Sequence, residues 1–121
     1  MRYLIVAAAL LMAGPALAVD SARFRVINAA DLVEVCSVPP DDPMHVHAMG
    51  FCHGYLSGSY HYYDSTEPTS NRFVCAPNPT PTRAEVMNGF VIWAKGHPQH
   101  MQDRAVDTLF RFLVETYPCK G

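Results

Sequence analysis

Four cysteines behind an export-like N-terminus restrict what this chain can fold into. They are Cys36, Cys52, Cys75 and Cys119. An even number of cysteines in a small exported chain indicates two disulfides, because exported proteins meet an oxidising compartment. A disulfide that closes a loop of tens of residues stabilises a fold by roughly 3–4 kcal/mol. We therefore expect a small domain whose stability depends heavily on two cross-links.

The N-terminus has the pattern of a cleavable signal peptide. Arg2 precedes an apolar run over residues 3–12, which is too short to span a bilayer. The small-x-small sequence Ala16-Leu17-Ala18 then matches a signal peptidase site. An N-terminal membrane anchor is the alternative interpretation. We predict a signal peptide over residues 1–18 and a mature chain over residues 19–121.

The mature chain has room for one small domain. The full chain carries a net charge of −2, which argues against nucleic acid or an anionic membrane surface as the main partner. No later segment of the sequence is long and apolar enough to span a membrane. We therefore expect no membrane association after signal cleavage.

Helical periodicity and helix-end residues predict an all-α domain of four helices. The first helix covers residues 29–36, with Asn28 as its N-cap. The second runs from Pro43 to about Tyr62, because Asp42 can cap it and proline suits a first helical turn.

The last two helices follow a long connection over residues 64–81, which is rich in proline and polar residues. Such a loop is uncommon in a compact domain unless it is held in place, and a disulfide through Cys75 would hold it. The third helix begins after Thr82, whose spacing to Glu85 is that of a capping box. The fourth is predicted over residues 98–116.

Three glycines lie four residues apart on the second helix: Gly50, Gly54 and Gly58. They form a bare stripe on one face, and each costs about 1 kcal/mol of helix propensity relative to alanine. We expect close approach of another part of the chain, or of a second subunit, to offset that cost.

The pairing of the cysteines stays open at this point. If the long loop runs back along the second helix, Cys75 meets Cys52 and Cys119 is left near Cys36, which is the preferred pairing. The rival pairing joins Cys36 to Cys52 and Cys75 to Cys119.

No catalytic, cofactor or metal motif is predicted. Cys52 and His53 point about 100° apart on a helix, so they are poorly placed to act as a nucleophile and its base. The six histidines do not have the spacing of a zincin or of a zinc knuckle. We therefore expect a binding protein rather than an enzyme.

Several short motifs occur in one order along the mature chain: "FCHGYLSG", "VCAP", "KGHP" and "AVDTLFRFLVETYPC". Together with the signal peptide, this order resembles the Tai-type and related resistance-associated immunity proteins. Those proteins protect bacteria from peptidoglycan amidases of type VI secretion. The resemblance covers roughly residues 32–119.

The resemblance implies a small helical periplasmic protein with disulfides. It also implies a protein partner, a peptidoglycan amidase effector whose active-site cleft is blocked, and a homodimer as the assembly. The matching positions belong to the scaffold and not to the inhibitory contacts: Cys52, Gly54, Tyr55, Gly58, Cys75, Pro77, His97, Pro98, Pro118 and Cys119.

Contact residues are therefore predicted from the chain itself. Inhibition of this kind needs a rigid protrusion, because ordering a loop on binding weakens affinity. The segment between the last two helices and the loop around Cys75 are the two available protrusions, and tyrosines are enriched at binding hot spots. The predicted contacts are Lys95, His97, Gln99, His100, Tyr60 and Tyr62. The alternative is that the junction residues only cap helices.

A second function class is a periplasmic metal-binding module or an acid-stress chaperone-like module. It is motivated by the six histidines, because this residue type titrates near neutral pH.

Overall fold

The computed structural model describes residues 18–120, which form four α-helices. These are α1 (Ala29–Cys36), α2 (His45–Thr66), α3 (Arg83–Lys95) and α4 (Ala105–Thr116). Within the described residues, β-pairing is limited to one isolated bridge between Val74 and Pro118. The predicted all-α fold, with a long loop between the second and third helices and two disulfides, is confirmed. The predicted signal peptide lies outside the described residues, apart from Ala18.

Helix α1 is the centre of the core, although it is the shortest of the four. It contacts α2, α3 and α4, and its side chains of Leu32 and Val35 are fully buried. Phe90 of α3 and Leu109 of α4 are also fully buried. Burying an aliphatic or aromatic side chain of this size contributes roughly 1.5–3 kcal/mol. A helix of eight residues is marginal alone, so packing on three sides stabilises α1.

The boundaries predicted for α1 and α3 are confirmed, because local capping determines both. The Asn28 side chain accepts a hydrogen bond from the Asp31 N–H at 3.0 Å. At the start of α3, the Thr82 hydroxyl accepts from the Glu85 N–H at 3.2 Å, and the Glu85 carboxylate accepts from the Thr82 N–H at 2.7 Å. Each reciprocal pair satisfies two backbone donors that the helix itself leaves open.

Helix α4 begins at Ala105, so the predicted start at Pro98 is wrong. Residues Pro98–His100 form a 3-10 turn instead. The first two N–H groups of α1, from Ala29 and Ala30, donate to the carbonyls of Asp103 and Met101 at 2.9 and 3.0 Å. Carbonyls engaged by another helix end bend the segment away from a continuous α-helix.

Helix α2 runs from His45 to Thr66, two residues later at its start and four later at its end than predicted. The Asp42 carboxylate accepts from the Met44 N–H at 2.7 Å, so Asp42 closes a turn before the helix rather than capping its first residue. At the other end, the Thr66 hydroxyl donates to the Tyr62 carbonyl at 2.9 Å. The extra turn places Tyr63 inside the helix.

The disulfides join Cys36 to Cys52 and Cys75 to Cys119. The preferred pairing, Cys52 with Cys75 and Cys36 with Cys119, is therefore wrong. Helices α1 and α2 pack together and bring the Cα atoms of Cys36 and Cys52 to 5.2 Å. The long loop runs to the end of α4 instead of along α2.

Backbone pairing aligns the long loop with the C-terminal segment. The Cys75 N–H donates to the Tyr117 carbonyl at 3.0 Å, and the Cys119 N–H donates to the Phe73 carbonyl at 3.3 Å. This pairing sets Cys75 beside Cys119, with their Cα atoms 4.8 Å apart. The contact depends on tertiary structure and has no signature in cysteine spacing.

Tyr63 fastens the same loop to α2. Its buried hydroxyl accepts hydrogen bonds from the N–H groups of Phe73 at 2.8 Å and Val74 at 3.1 Å. Arg72 adds an ion pair with Asp64 at 2.6 Å. The loop is therefore held at its middle by a phenol, an ion pair and a disulfide.

Asp31 is a buried carboxylate that joins the lead-in segment to α1. It accepts from Arg23 Nη1 at 2.7 Å and from the Ile27 N–H at 3.0 Å. Burial acts to raise the pKa of Asp31, but the hydrogen bonds from Arg23 and from the Asn28 and Ile27 backbones outweigh it, so the pKa falls below its ordinary value of 3.8.

We expect Tyr63→Phe to lower the free energy of unfolding by about 1–3 kcal/mol, because two backbone donors lose their acceptor. The control is Tyr62→Phe, since Tyr62 is 73% exposed and its change should stay within about 0.5 kcal/mol. Urea unfolding of the oxidised proteins measures both. Equal effects of the two variants would contradict the role given to the Tyr63 hydroxyl.

The Asp31 carboxylate should also make stability depend on pH. Its folded pKa lies below 3.8. Its contribution to the free energy of unfolding is therefore complete above pH 3.8 and is lost as the pH falls through the folded pKa. We expect Asp31→Asn to cost about 1–2 kcal/mol at pH 7, and the gap to the parent protein should narrow in acid. The control is Asp41→Asn, because Asp41 is exposed. An acid profile that is the same for both variants would refute this assignment.

Candidate partner-binding surface

Three aromatic rings stack at the junction of α3 and α4. The ring centroids of Trp93 and His97 are 3.9 Å apart with 20° between the planes, and those of Trp93 and His100 are 6.1 Å apart with 4° between the planes. The indole N–H of Trp93 donates to the Glu115 carboxylate at 3.0 Å. The column thus joins the end of α3 to the outer side of α4.

Both histidines of the column are oriented by hydrogen bonds at Nδ1. In His97 this atom lies 2.7 Å from the Trp93 carbonyl, which is in the last turn of α3 and also accepts from the Gly96 N–H at 3.1 Å. In His100 it lies 2.9 Å from the Asp103 carboxylate. The two rings therefore combine helix-end capping with a fixed orientation at the surface.

Hydrogen bonds from α1 and α4 hold the junction in one conformation. Besides the bonds from α1 to the carbonyls of Met101 and Asp103, the buried Thr108 hydroxyl donates to the His100 carbonyl at 3.1 Å. A segment with this many internal partners loses little conformational freedom when it binds another protein. The junction is therefore ordered by the fold itself, and its role as a protrusion that contacts a partner stays a prediction.

Of the predicted junction contacts, Lys95 and Gln99 are exposed and the two histidines are half-buried. The two histidines line the depression beside Trp93, whereas Lys95 and Gln99 are not among its lining residues. Whether these four residues contact a partner stays a prediction.

The outer face of α4 connects the junction to a second aromatic depression. We call this face the α4 surface; it comprises Val106, Asp107, Phe110, Arg111 and Val114. On one side it borders a depression lined by the Trp93 column, and on the other a depression lined by Gly58, Tyr62 and Phe73. Phe110 lines both depressions.

Sequence reasoning missed the apolar residues of the α4 surface. Val106, Phe110 and Val114 recur at intervals of four, which places them along one side of the helix. They stand apart from the buried stripe that contains Leu109 and Leu113. A second apolar stripe at helical spacing, outside the core stripe, is the signal that could have found them.

The two predicted tyrosines lie on different sides of α2. Tyr62 is 73% exposed and borders the second depression. Tyr60 is half-buried, packs near Tyr63, and lines a separate cavity under the long loop. Only Tyr62 therefore adjoins the α4 surface.

The glycine stripe of α2 is exposed. A Cβ atom built at Gly50, Gly54 or Gly58 meets nothing within 4 Å among the described residues. The expectation that another part of the chain approaches these glycines closely is therefore wrong for residues 18–120. Packing by a second subunit stays a prediction.

The histidines do not gather into a metal site in the described part of the chain. No group of three or more His, Cys, Asp or Glu side chains there could hold a metal ion. No helix among residues 18–120 is long and apolar enough to cross a membrane.

Four helices and two disulfides define a small helical protein with an ordered aromatic surface. The sequence profile of the Rap1a immunity proteins matches residues 28–119, and the chain belongs to this family. Comparison with curated proteins found no match, and neither did comparison with solved structures.

Family membership implies a non-catalytic inhibitor whose partner is a protein effector. The immunity-family part of the sequence resemblance is thereby confirmed. The Tai-type amidase part stays a prediction.

We expect Gly54→Ala to stabilise the isolated chain by up to about 1 kcal/mol, because alanine favours the helix and its Cβ meets no neighbour. Gly89→Ala is the contrasting variant: its Cβ would lie 3.1 Å from Phe112 and should remove that benefit. Thermal unfolding at high dilution measures both. A loss of stability at Gly54 under these conditions would contradict an open helix face.

Proposed function

We propose that this protein is a periplasmic immunity protein that binds and inhibits a peptidoglycan amidase delivered by type VI secretion. Family membership supports the immunity role, and the ordered sequence motifs support the amidase as the effector. The structural observation behind the proposal is the pre-ordered aromatic surface made by the α3–α4 junction and the α4 surface.

This surface has the composition of a binding hot spot. Tryptophan, tyrosine, phenylalanine and arginine are enriched in such regions, and the surface presents Trp93, Tyr62, Phe110 and Arg111. Inhibition by occlusion requires no reacting group in the inhibitor. It requires a shape that enters or covers a cleft without having to become ordered first.

Exposed charges around the surface would contribute to its specificity for one partner. Lys95 stands at the end of α3, and the Arg111 side chain is 56% exposed and lies 4.0 Å from the Asp103 carboxylate. Charges at the rim of an interface mainly affect the rate of association and the exclusion of wrong partners.

Export to the periplasm is supported by the two disulfides and by the position of Val19. The Val19 N–H donates to the Asp42 carboxylate at 3.1 Å, and its half-buried side chain packs against a small core of Val35, Val38 and Ala48. Cleavage after Ala18 would turn this N–H into an α-ammonium group and the hydrogen bond into an ion pair. The proposed mature N-terminus is thus already placed beside an acidic partner.

The open glycine stripe supports a homodimer as the assembly. Small residues let two helices approach closely, and the stripe has no occupant among residues 18–120. Analytical ultracentrifugation over a concentration series tests this proposal. A monomer at every concentration would remove it, whereas a dimer that Gly54→Ala weakens would support it.

The amidase proposal is tested by co-expression and by direct binding with the effector encoded beside the gene. The protein should prevent lysis and form a stable complex with the purified amidase. We expect Arg111→Glu to weaken that complex at least tenfold by reversing a charge on the binding surface. The control Arg25→Glu, at an exposed position in the lead-in segment, should change it less than twofold.

The same preparation tests export. Protein recovered from the periplasmic fraction should have the intact mass of a chain that begins at Val19. Retention in the cytoplasm would remove the periplasmic assignment, and failure to bind or inhibit an amidase would remove the effector class while leaving the family intact.

A further inference from the structure

A cavity of about 290 Å³ lies beneath the second half of the long loop, between α2, α3 and α4. Its inner wall is made by four buried apolar side chains: Leu56, Val74, Leu109 and Leu113. Part of the outer wall is formed by four loop residues, Ala76, Pro77, Thr80 and Pro81. The cavity is on the opposite side of the loop's anchor from the α4 surface, and the binding function proposed above does not use it.

The mouth of the cavity is polar and positively charged. Arg83 and His61 are exposed there and His53 is half-buried, and the lining contains no carboxylate. The six ion pairs among residues 18–120 do not include Arg83. A permanent cation thus lies at the mouth of an apolar cavity without an ion-pair partner in the described part of the chain.

The phenols of Tyr60 and Tyr117 add hydrogen-bond donors to the lining. Burial raises the pKa of Tyr117, and the Glu85 carboxylate acts in the same direction, so this phenol stays protonated at neutral pH. The Glu85 carboxylate accepts from the Thr82 N–H at 2.7 Å, and the ion pairs among the described residues do not join it to Arg83.

The size of the cavity bounds its occupant. An apolar protein cavity of about 150 Å³ can take up benzene, with its six carbons. A cavity about twice as large has room for about ten to twelve carbons. The buried wall offers such an occupant apolar contacts alone, so the polar end of the ligand belongs at the mouth.

We propose that this cavity binds a single-chain anionic amphiphile: an aliphatic chain of about ten carbons in the interior, with a carboxylate or phosphate facing Arg83. The argument rests on charge complementarity at the mouth together with an apolar interior. It is independent of the immunity role, since neither requires the other.

Calorimetric titration of the oxidised mature protein with decanoate and with decyl phosphate tests the proposal. Both should bind saturably, and the tighter of the two distinguishes a fatty-acid-like source from a phospholipid-like source. Octanoate should bind about tenfold more weakly than decanoate, because two methylenes fewer are buried. Decanol and decyltrimethylammonium, which have the same chain without the anion, should bind at least fivefold more weakly than decanoate.

Two pairs of variants separate the interior from the mouth. Ser57→Phe projects a ring into the cavity and should abolish decanoate binding, whereas Ser59→Phe, on the other side of α2, should leave it unchanged. Arg83→Gln should weaken decanoate about fivefold to tenfold and leave decanol unchanged, with Arg25→Gln as its control.

Three results would overturn the proposal. The first is no saturable binding of decanoate or decyl phosphate to the parent protein, which needs no variant to fold. The second is equal affinity for decanol and decanoate, which would show that the anionic group does not contribute to binding. The third is equal loss in Ser57→Phe and Ser59→Phe, with unchanged thermal unfolding, which places binding outside the cavity.

Discussion

The attachment of the long loop to the end of α4 is the constraint on which the rest of the structure depends. The chain between α2 and α3 has little regular structure, since only Thr69–Asn71 form a 3-10 turn. It is fastened by the Cys75–Cys119 disulfide, by the bridge between Val74 and Pro118, and by the Tyr63 hydroxyl. These bonds satisfy the backbone of a segment that no helix or sheet otherwise orders.

Two surface features follow from that attachment. On one side of the anchor, Phe73 stands beside Tyr62 and Phe110 and completes the aromatic depression next to α4. On the other side, the loop covers the gap between α2, α3 and α4 incompletely and leaves the apolar cavity. One cross-link therefore supports both the surface proposed to bind a protein and the cavity proposed to bind a small molecule.

The contrast between the predicted and the observed helices has a local explanation. The starts of α1 and α3 were predicted correctly because each capping box acts within four residues, so the local sequence contains all of the interacting groups. The start of α4 was not, because its preceding carbonyls bond to the N–H groups of α1, some seventy residues away along the chain. Helical periodicity carries no information about such a partner.

The glycine stripe and the cysteines show the same limit. Spacing showed that Gly50, Gly54 and Gly58 share one face of α2, but the course of the loop decided that this face stays open. Cysteine number indicated two disulfides, whereas the pairing required knowing which segments lie side by side. For the candidate site, the histidines and Tyr62 were identifiable from the sequence. The contact of these residues with Phe73, Phe110 and Arg111 was not, because Phe73 comes from the long loop and the other two from α4.

By itself, the sequence determined the helical class, the two capping boxes, the presence of two cross-links and the immunity family, because each rests on short-range periodicity, residue counts or the order of motifs. The tertiary structure alone decided the pairing of the disulfides, the start of α4, the exposure of the glycine stripe and the cavity under the loop. Each of these depends on which distant segments bury surface against one another, and that is settled by packing across the whole domain rather than by any local pattern.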